Sequence, residues 1–99
     1  MTPAFGVYHT VSVTAPNGAV RVASLAVRVE EFNIEELLDG AAVQGSEFLR
    51  FVCWRTMASD TVEVNDRLTL NDAVWTIESK TPIESFRRIA FVARRATRR

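Results

Sequence analysis

The run Val64-Asn65-Asp66-Arg67-Leu68-Thr69-Leu70-Asn71-Asp72-Ala73-Val74-Trp75-Thr76-Ile77-Glu78 constrains the fold more than any other. Leu68 and Leu70 alternate with Arg67 and Thr69, which is the period of a β-strand. Asn71-Asp72 suits a two-residue hairpin loop, because both residues tolerate positive φ. That loop sets Leu70 opposite Ala73, Leu68 opposite Trp75 and Asp66 opposite Ile77. Leu68, Leu70, Ala73, Trp75 and Ile77 then share one face, and Arg67, Thr69, Val74 and Thr76 the other. Register and hydrophobic pattern agree.

More strands surround this hairpin. Val7 to Thr14 alternates, with Val7, His9, Val11 and Val13 on one side. Ala15-Pro16-Asn17-Gly18 reads as a turn. Ala19 to Val29 is a longer strand whose pattern changes phase: Val20 and Val22 share one parity, Leu25, Val27 and Val29 the other. A β-bulge or bend near Ala23-Ser24 accounts for the change. Glu47 to Arg55 is apolar on both sides, with Phe48, Val52 and Trp54 on one and Leu49, Phe51 and Cys53 on the other. Such a strand is expected to be covered twice, by the core and by a helix or a neighbouring chain. Thr56 to Thr61 reads as a turn or ragged edge. Thr81-Pro82-Ile83-Glu84-Ser85 reads as a connection into a last strand, Phe86 to Arg94.

One helix is expected, Phe32 to Gly40. Asn33 is a good N-cap with Glu36 in capping-box spacing, Phe32 and Leu37 could staple its start, and Gly40 ends it. At about two turns it needs tertiary support. Ala41 to Ser46 follows as loop. The fold class is therefore all-β, a small barrel or sandwich with one short helix in a long connection. A single domain spans 1–99, with a short N-terminal arm and a basic C-terminal tail from about 95 to 99.

Chemistry is sparse. Cys53 is the sole cysteine and His9 the sole histidine. Neither a disulfide framework nor a cysteine zinc site can be built. His9 has no carboxylate beside it in the strand, and Cys53 sits in an apolar strand, so neither suits a nucleophilic triad. Asp66 and Asp72 flank turns, where aspartate bonds local backbone amides. No glycine-rich phosphate loop is present. No catalytic residue, metal or cofactor is expected, and the chain is not read as an enzyme. The N-terminus lacks the pattern of a signal peptide, and no apolar run reaches the roughly 20 residues needed to span a bilayer.

Net charge is zero, yet unevenly laid out. Glu30, Glu31, Glu35, Glu36 and Asp39 form an acidic stretch without a base. Arg87, Arg88, Arg94, Arg95, Arg98 and Arg99 carry half of the basic charge. Arginine favours planar pairing with carboxylate or phosphate, although an arginine-rich genome gives the same bias. Phe86 and Phe91 beside these arginines would suit a nucleic-acid surface, but the strand puts Arg88 and Arg94 on one side and Arg87 and Arg95 on the other.

The segment from Gly45 to Arg94 resembles the small head–tail joining and head-closure (stopper) proteins of lambda-type long-tailed phages. The resemblance is carried by Ser46-Glu47-Phe48-Leu49-Arg50-Phe51, the irregular Thr56-Met57-Ala58-Ser59-Asp60, the hairpin from Asn65 to Ile77, the connection Thr81-Pro82-Ile83 and the strand Ile89-Ala90-Phe91-Val92. Where the family has two glycines, this chain has Asn65 and Asn71-Asp72, which can take the same left-handed conformations. The resemblance implies a virion protein of the head–tail junction, assembled in the host cytoplasm. It would form a homo-oligomeric ring, hexamer or dodecamer, that closes the portal channel after DNA packaging and docks the tail. Its partners would be a portal or adaptor above, a tail terminator or tail tube below, and genomic DNA in the channel, with no membrane. The alternatives are a small nucleic-acid-binding barrel and a tail terminator protein.

Ring contacts join unlike patches. Expected interface residues are Glu30, Glu31, Glu35, Glu36 and Asp39 on one face and Arg87, Arg88, Arg94 and Arg95 on another, with Phe48 and Phe51 supplying apolar contact. Arg98 and Arg99 are candidates for DNA contact in the channel. Either the loop Ala41 to Ser46 or the arm Met1 to Gly6 would reach along it.

Overall fold

Strands that alternate apolar and polar residues must hide one face, and here they do so by curling into a closed barrel. The computed structural model of the chain describes residues 6–31 and 46–96. The elements are β1 (Tyr8–Thr14), β2 (Val20–Glu31), β3 (Ser46–Trp54), α1 (Met57–Asp60), β4 (Arg67–Leu70), β5 (Ala73–Ile83) and β6 (Arg88–Ala96). Spatial order is β1-β2-β3-β6-β5-β4, and antiparallel pairing of β1 with β4 closes the ring. Closure gives every described strand a neighbour on both sides along at least part of its length. The helix expected at Phe32 to Gly40 and the loop up to Gly45 lie outside the described residues, as do Met1 to Phe5 and residues 97–99.

The hairpin has the register that its sequence dictates. Leu68 pairs with Trp75 and Leu70 with Ala73. Asn65 donates to the Ile77 carbonyl at 2.8 Å, and Ile77 donates to the Asp66 carbonyl at 2.9 Å. Asn71 and Asp72 both hold left-handed φ, 51° and 68°, which matches the loop to the twist of its strands. Leu68, Leu70, Trp75 and Ile77 are buried in the barrel interior, with Ala73 packed against them. Phe51 meets Trp75 edge-to-face with ring centroids 5.7 Å apart.

The phase change in β2 is a bulge. Val11 pairs with Leu25 but Val13 with Val22, so three residues of β2 span two of β1, around Ala23-Ser24. A second register shift follows between Val13 and Thr14. It turns Val20 out of the core, where it is exposed despite sharing parity with buried Val22.

Four local readings are corrected. Residues 57–60 form α1, a turn of helix closed by a capping box. Ser59 donates its backbone N–H to Thr56 Oγ1 at 3.1 Å, and Thr56 donates its own to Ser59 Oγ at 2.8 Å. Strand β5 runs through Pro82 to Ile83, opposite Ile89 and Arg88, where a connection was expected. Strand β6 starts at Arg88 because Glu84, Ser85 and Phe86 hold positive φ of 50°, 57° and 70°, which no strand accommodates. Ser46, expected in the loop, opens β3.

Because every paired strand is antiparallel, connections alternate between the two ends of the barrel. At one end, here the terminal end, lie the start of β1, the end of β2, the start of β3, the β4–β5 turn and the end of β6. At the other, the helix end, lie the β1–β2 turn, α1 and the β5–β6 turn.

Candidate contact surface at the helix end

The terminal end is sealed by inward-facing charge. Glu47 and Arg95 are register partners, and Arg95 donates to Glu47 Oε1 at 2.6 Å. The same guanidinium lies over the Trp75 ring, 5.0 Å from its centroid. Both side chains of the pair are about a quarter exposed. Outside the barrel, Arg28 and Arg50 flank Glu30 at 3.8 and 3.7 Å, and Arg94 reaches Glu78 at 3.2 Å. Charge at this end is thus largely matched within the chain among the described residues.

The helix end is built differently. Helix α1 sits against it, with Ser59 wholly buried and its hydroxyl donating toward the Trp54 carbonyl at 3.1 Å. Lys80 donates to the Asp60 carbonyl at 3.0 Å, and Arg55 bonds the Asp60 carboxylate at 3.1 Å. Arg55, Asp60, Lys80, Pro82, Phe86 and Ile89 line an open cleft of about 210 Å³. Phe86 on its rim is 64% exposed, and Trp54 at 52% and Met57 at 90% are exposed at the same end of the barrel. Single exposed apolar residues are ordinary, whereas a cluster at one end of a small domain marks a contact surface. The guanidinium of Arg88 stacks on Trp54 at 4.3 Å and lies 3.3 Å from Glu84 Oε1, a charge contact without hydrogen-bond alignment. Arg87 is exposed and has no side-chain partner among the described residues, while its backbone joins Arg55 and Glu84. Three successive left-handed residues carry Phe86 outward, at about 1–2 kcal/mol each for non-glycine residues.

Buried polar groups here are structural. Asp66 is wholly buried, and its Oδ2 accepts from the Glu63 backbone at 2.8 Å and from Arg21 at 3.1 Å, tying the hairpin to β2. Cys53 lies inside the barrel. Burial pushes its thiol up to about 11, against the lowering effect of a Ser59 hydrogen bond. A thiol so buried stays protonated and makes a poor nucleophile. His9 is half-buried in β1, in register with Val27. Among the described residues, no cluster of His, Cys, Asp or Glu has the makings of a metal site. No helix among them is long and apolar enough to cross a membrane.

The interface residues expected from the sequence are dispersed. Glu35, Glu36, Asp39, Arg98 and Arg99 lie outside the described residues. Glu31 ends β2. Phe51 points into the core, fully buried, so it cannot touch a neighbour. Phe48 and Val52 face outward yet are already buried within the single chain, at 9% and 2% exposure, leaving Trp54 as the exposed apolar residue of β3. The arginine group does not form one face. Arg87, in the β5–β6 turn, and Arg88, the first residue of β6, lie at the helix end, whereas Arg94 and Arg95 lie at the terminal end, about 20 Å away at 3.3 Å per residue. Arg94 and Arg95 therefore share an end with Glu30 rather than opposing it, and both are spent on Glu78 and Glu47. Sequence reasoning missed Met57, in a segment that gave no periodic signal; it offered Phe86 as a surface aromatic, but within a strand.

No protein-family model matches the chain, and neither does any curated protein or solved structure.

Proposed function

We propose that this chain is a structural protein of a phage head–tail connector, a ring subunit that closes the portal channel after DNA packaging and docks the tail. One observation carries the reading: Trp54, Met57 and Phe86 are exposed at the helix end, with Arg88 stacked on Trp54. A domain this small gains little from leaving three large apolar side chains in water unless another surface covers them. The two ends are chemically unlike, and unlike ends favour heterologous contacts, which generate rings when the rotation closes. The hairpin that carries the family resemblance supplies scaffold. Trp75 and Leu68 fill the core, and Asn71 and Asp72 make the turn. The role needs no catalysis and no cofactor.

The test uses DNA-filled phage heads that lack this subunit. Adding the purified protein should retain the packaged DNA and permit tail attachment. Heads that lose DNA at the same rate with and without it would refute the role.

Trp54 and Phe86 beside Arg87 and Arg88 favour a second reading, a nucleic-acid-binding barrel. Binding of duplex DNA by the monomer, falling steeply with salt, would select it.

A further inference from the structure

We infer that the helix end is a docking surface for the acidic segment, residues 30–39, of a second copy of this chain, so that copies join head to tail. This rests on the connector reading and gives its subunit contact a chemistry.

The surface is apolar and cationic together. Phe86 lines the cleft, and Trp54 and Met57 are exposed at the same end. Arg55, Lys80, Arg87 and Arg88 stand against two acids there, Asp60 and Glu84, so positive charge is in surplus. Phe86 is held in the open by backbone that a phenylalanine adopts only reluctantly. Strain of this kind persists where a surface is kept ready for use.

The occupant follows from the chain's own charge. Glu30-Glu31-Phe32-Asn33-Ile34-Glu35-Glu36-Leu37-Leu38-Asp39 has four large apolar residues, no base and five carboxylates, of which Glu30 is already held by Arg28 and Arg50. This is the chemical complement of the helix end, apolar for apolar and acid for base. Among the described residues of its own end, the bases are already matched: Arg28 and Arg50 to Glu30, Arg94 to Glu78 and Arg95 to Glu47. The segment follows β2 at the terminal end, and the surface lies at the other. Contact between copies is then heterologous, one end of one barrel against the opposite end of the next.

Sedimentation velocity of the full chain at low salt tests this, with thermal melts as a check on folding. Phe86→Gly removes the ring and suits the left-handed φ, so its fold should hold. Phe86→Gly, Arg87→Glu and the double variant Glu35→Lys/Glu36→Lys should each weaken self-association tenfold or more at an unchanged melting midpoint. Mixing the Arg87→Glu protein with Glu35→Lys/Glu36→Lys protein offers each segment an oppositely charged surface on the other protein, and should restore larger assemblies that neither variant forms alone. Combining the three reversals in one chain should partly restore assembly. A wild-type oligomer indifferent to all of these variants would overturn the docking proposal and leave the connector reading standing. A wild-type monomer at every concentration would overturn both. So would a monomer whose helix end binds duplex DNA and loses it on Arg87→Glu.

Discussion

The two ends of this barrel solve one problem in opposite ways. Each must close a mouth through which water could reach the core. The terminal end does it with side chains that meet across the strands, Glu47 and Arg95 over Trp75. The helix end uses backbone, a capped turn of helix held by Ser59 and Lys80. The first solution uses up its charge. The second spends little of its surface on closure and leaves Trp54, Met57 and Phe86 facing water with Arg87 beside them.

Substitutions can break this comparison at several strengths. Trp75→Ala removes the ring that Phe51 and Arg95 pack against and should cost about 3–5 kcal/mol of stability in chemical denaturation. An unchanged midpoint would mean that the terminal end is not sealed as described. Arg95→Met leaves Glu47 partly buried without its cation, and should cost about 1–3 kcal/mol, with Glu47→Gln/Arg95→Met recovering part of the loss. Ser59→Ala removes the cap and the bond to Trp54, costing about 1–2 kcal/mol, and should loosen the helix end selectively in hydrogen exchange. Ser85→Gly should act in the other direction, stabilising by about 1 kcal/mol through relief of a left-handed residue. A loss of stability there would show that the turn is not strained.

Cys53 gives no effect at neutral pH and a definite sign in alkali. Its thiol is raised from 9.0 to about 11 in the folded chain, chiefly by burial. The folded state therefore holds a proton that the unfolded state releases above pH 9, and stability should fall as pH rises between 9 and 11. Cys53→Ala should flatten that slope. Native protein should resist thiol reagents at neutral pH until it unfolds.

The hairpin was legible because register, turn residues and hydrophobic period all point one way from Asn65 to Ile77. The bulge in β2 was legible because a bulge shifts parity, and parity is written in Val22 and Leu25. Barrel closure was not, since it depends on β1 meeting β4 across a gap of more than fifty residues. The arginines expected on one face fall at the two ends of the barrel for a related reason. Six residues of extended strand separate Arg88 from Arg94, and sequence proximity conceals that distance. Phe86 was read as strand because its left-handed backbone has no signature in a non-glycine residue.

Native mass spectrometry of the wild-type chain at low salt tests the central claim most directly, that the helix end is a contact surface between copies. The account predicts one discrete multiple of the 11.1 kDa subunit, and collapse to the single subunit in the Phe86→Gly protein. A spectrum holding only the 11.1 kDa species for the wild type at every concentration would contradict it.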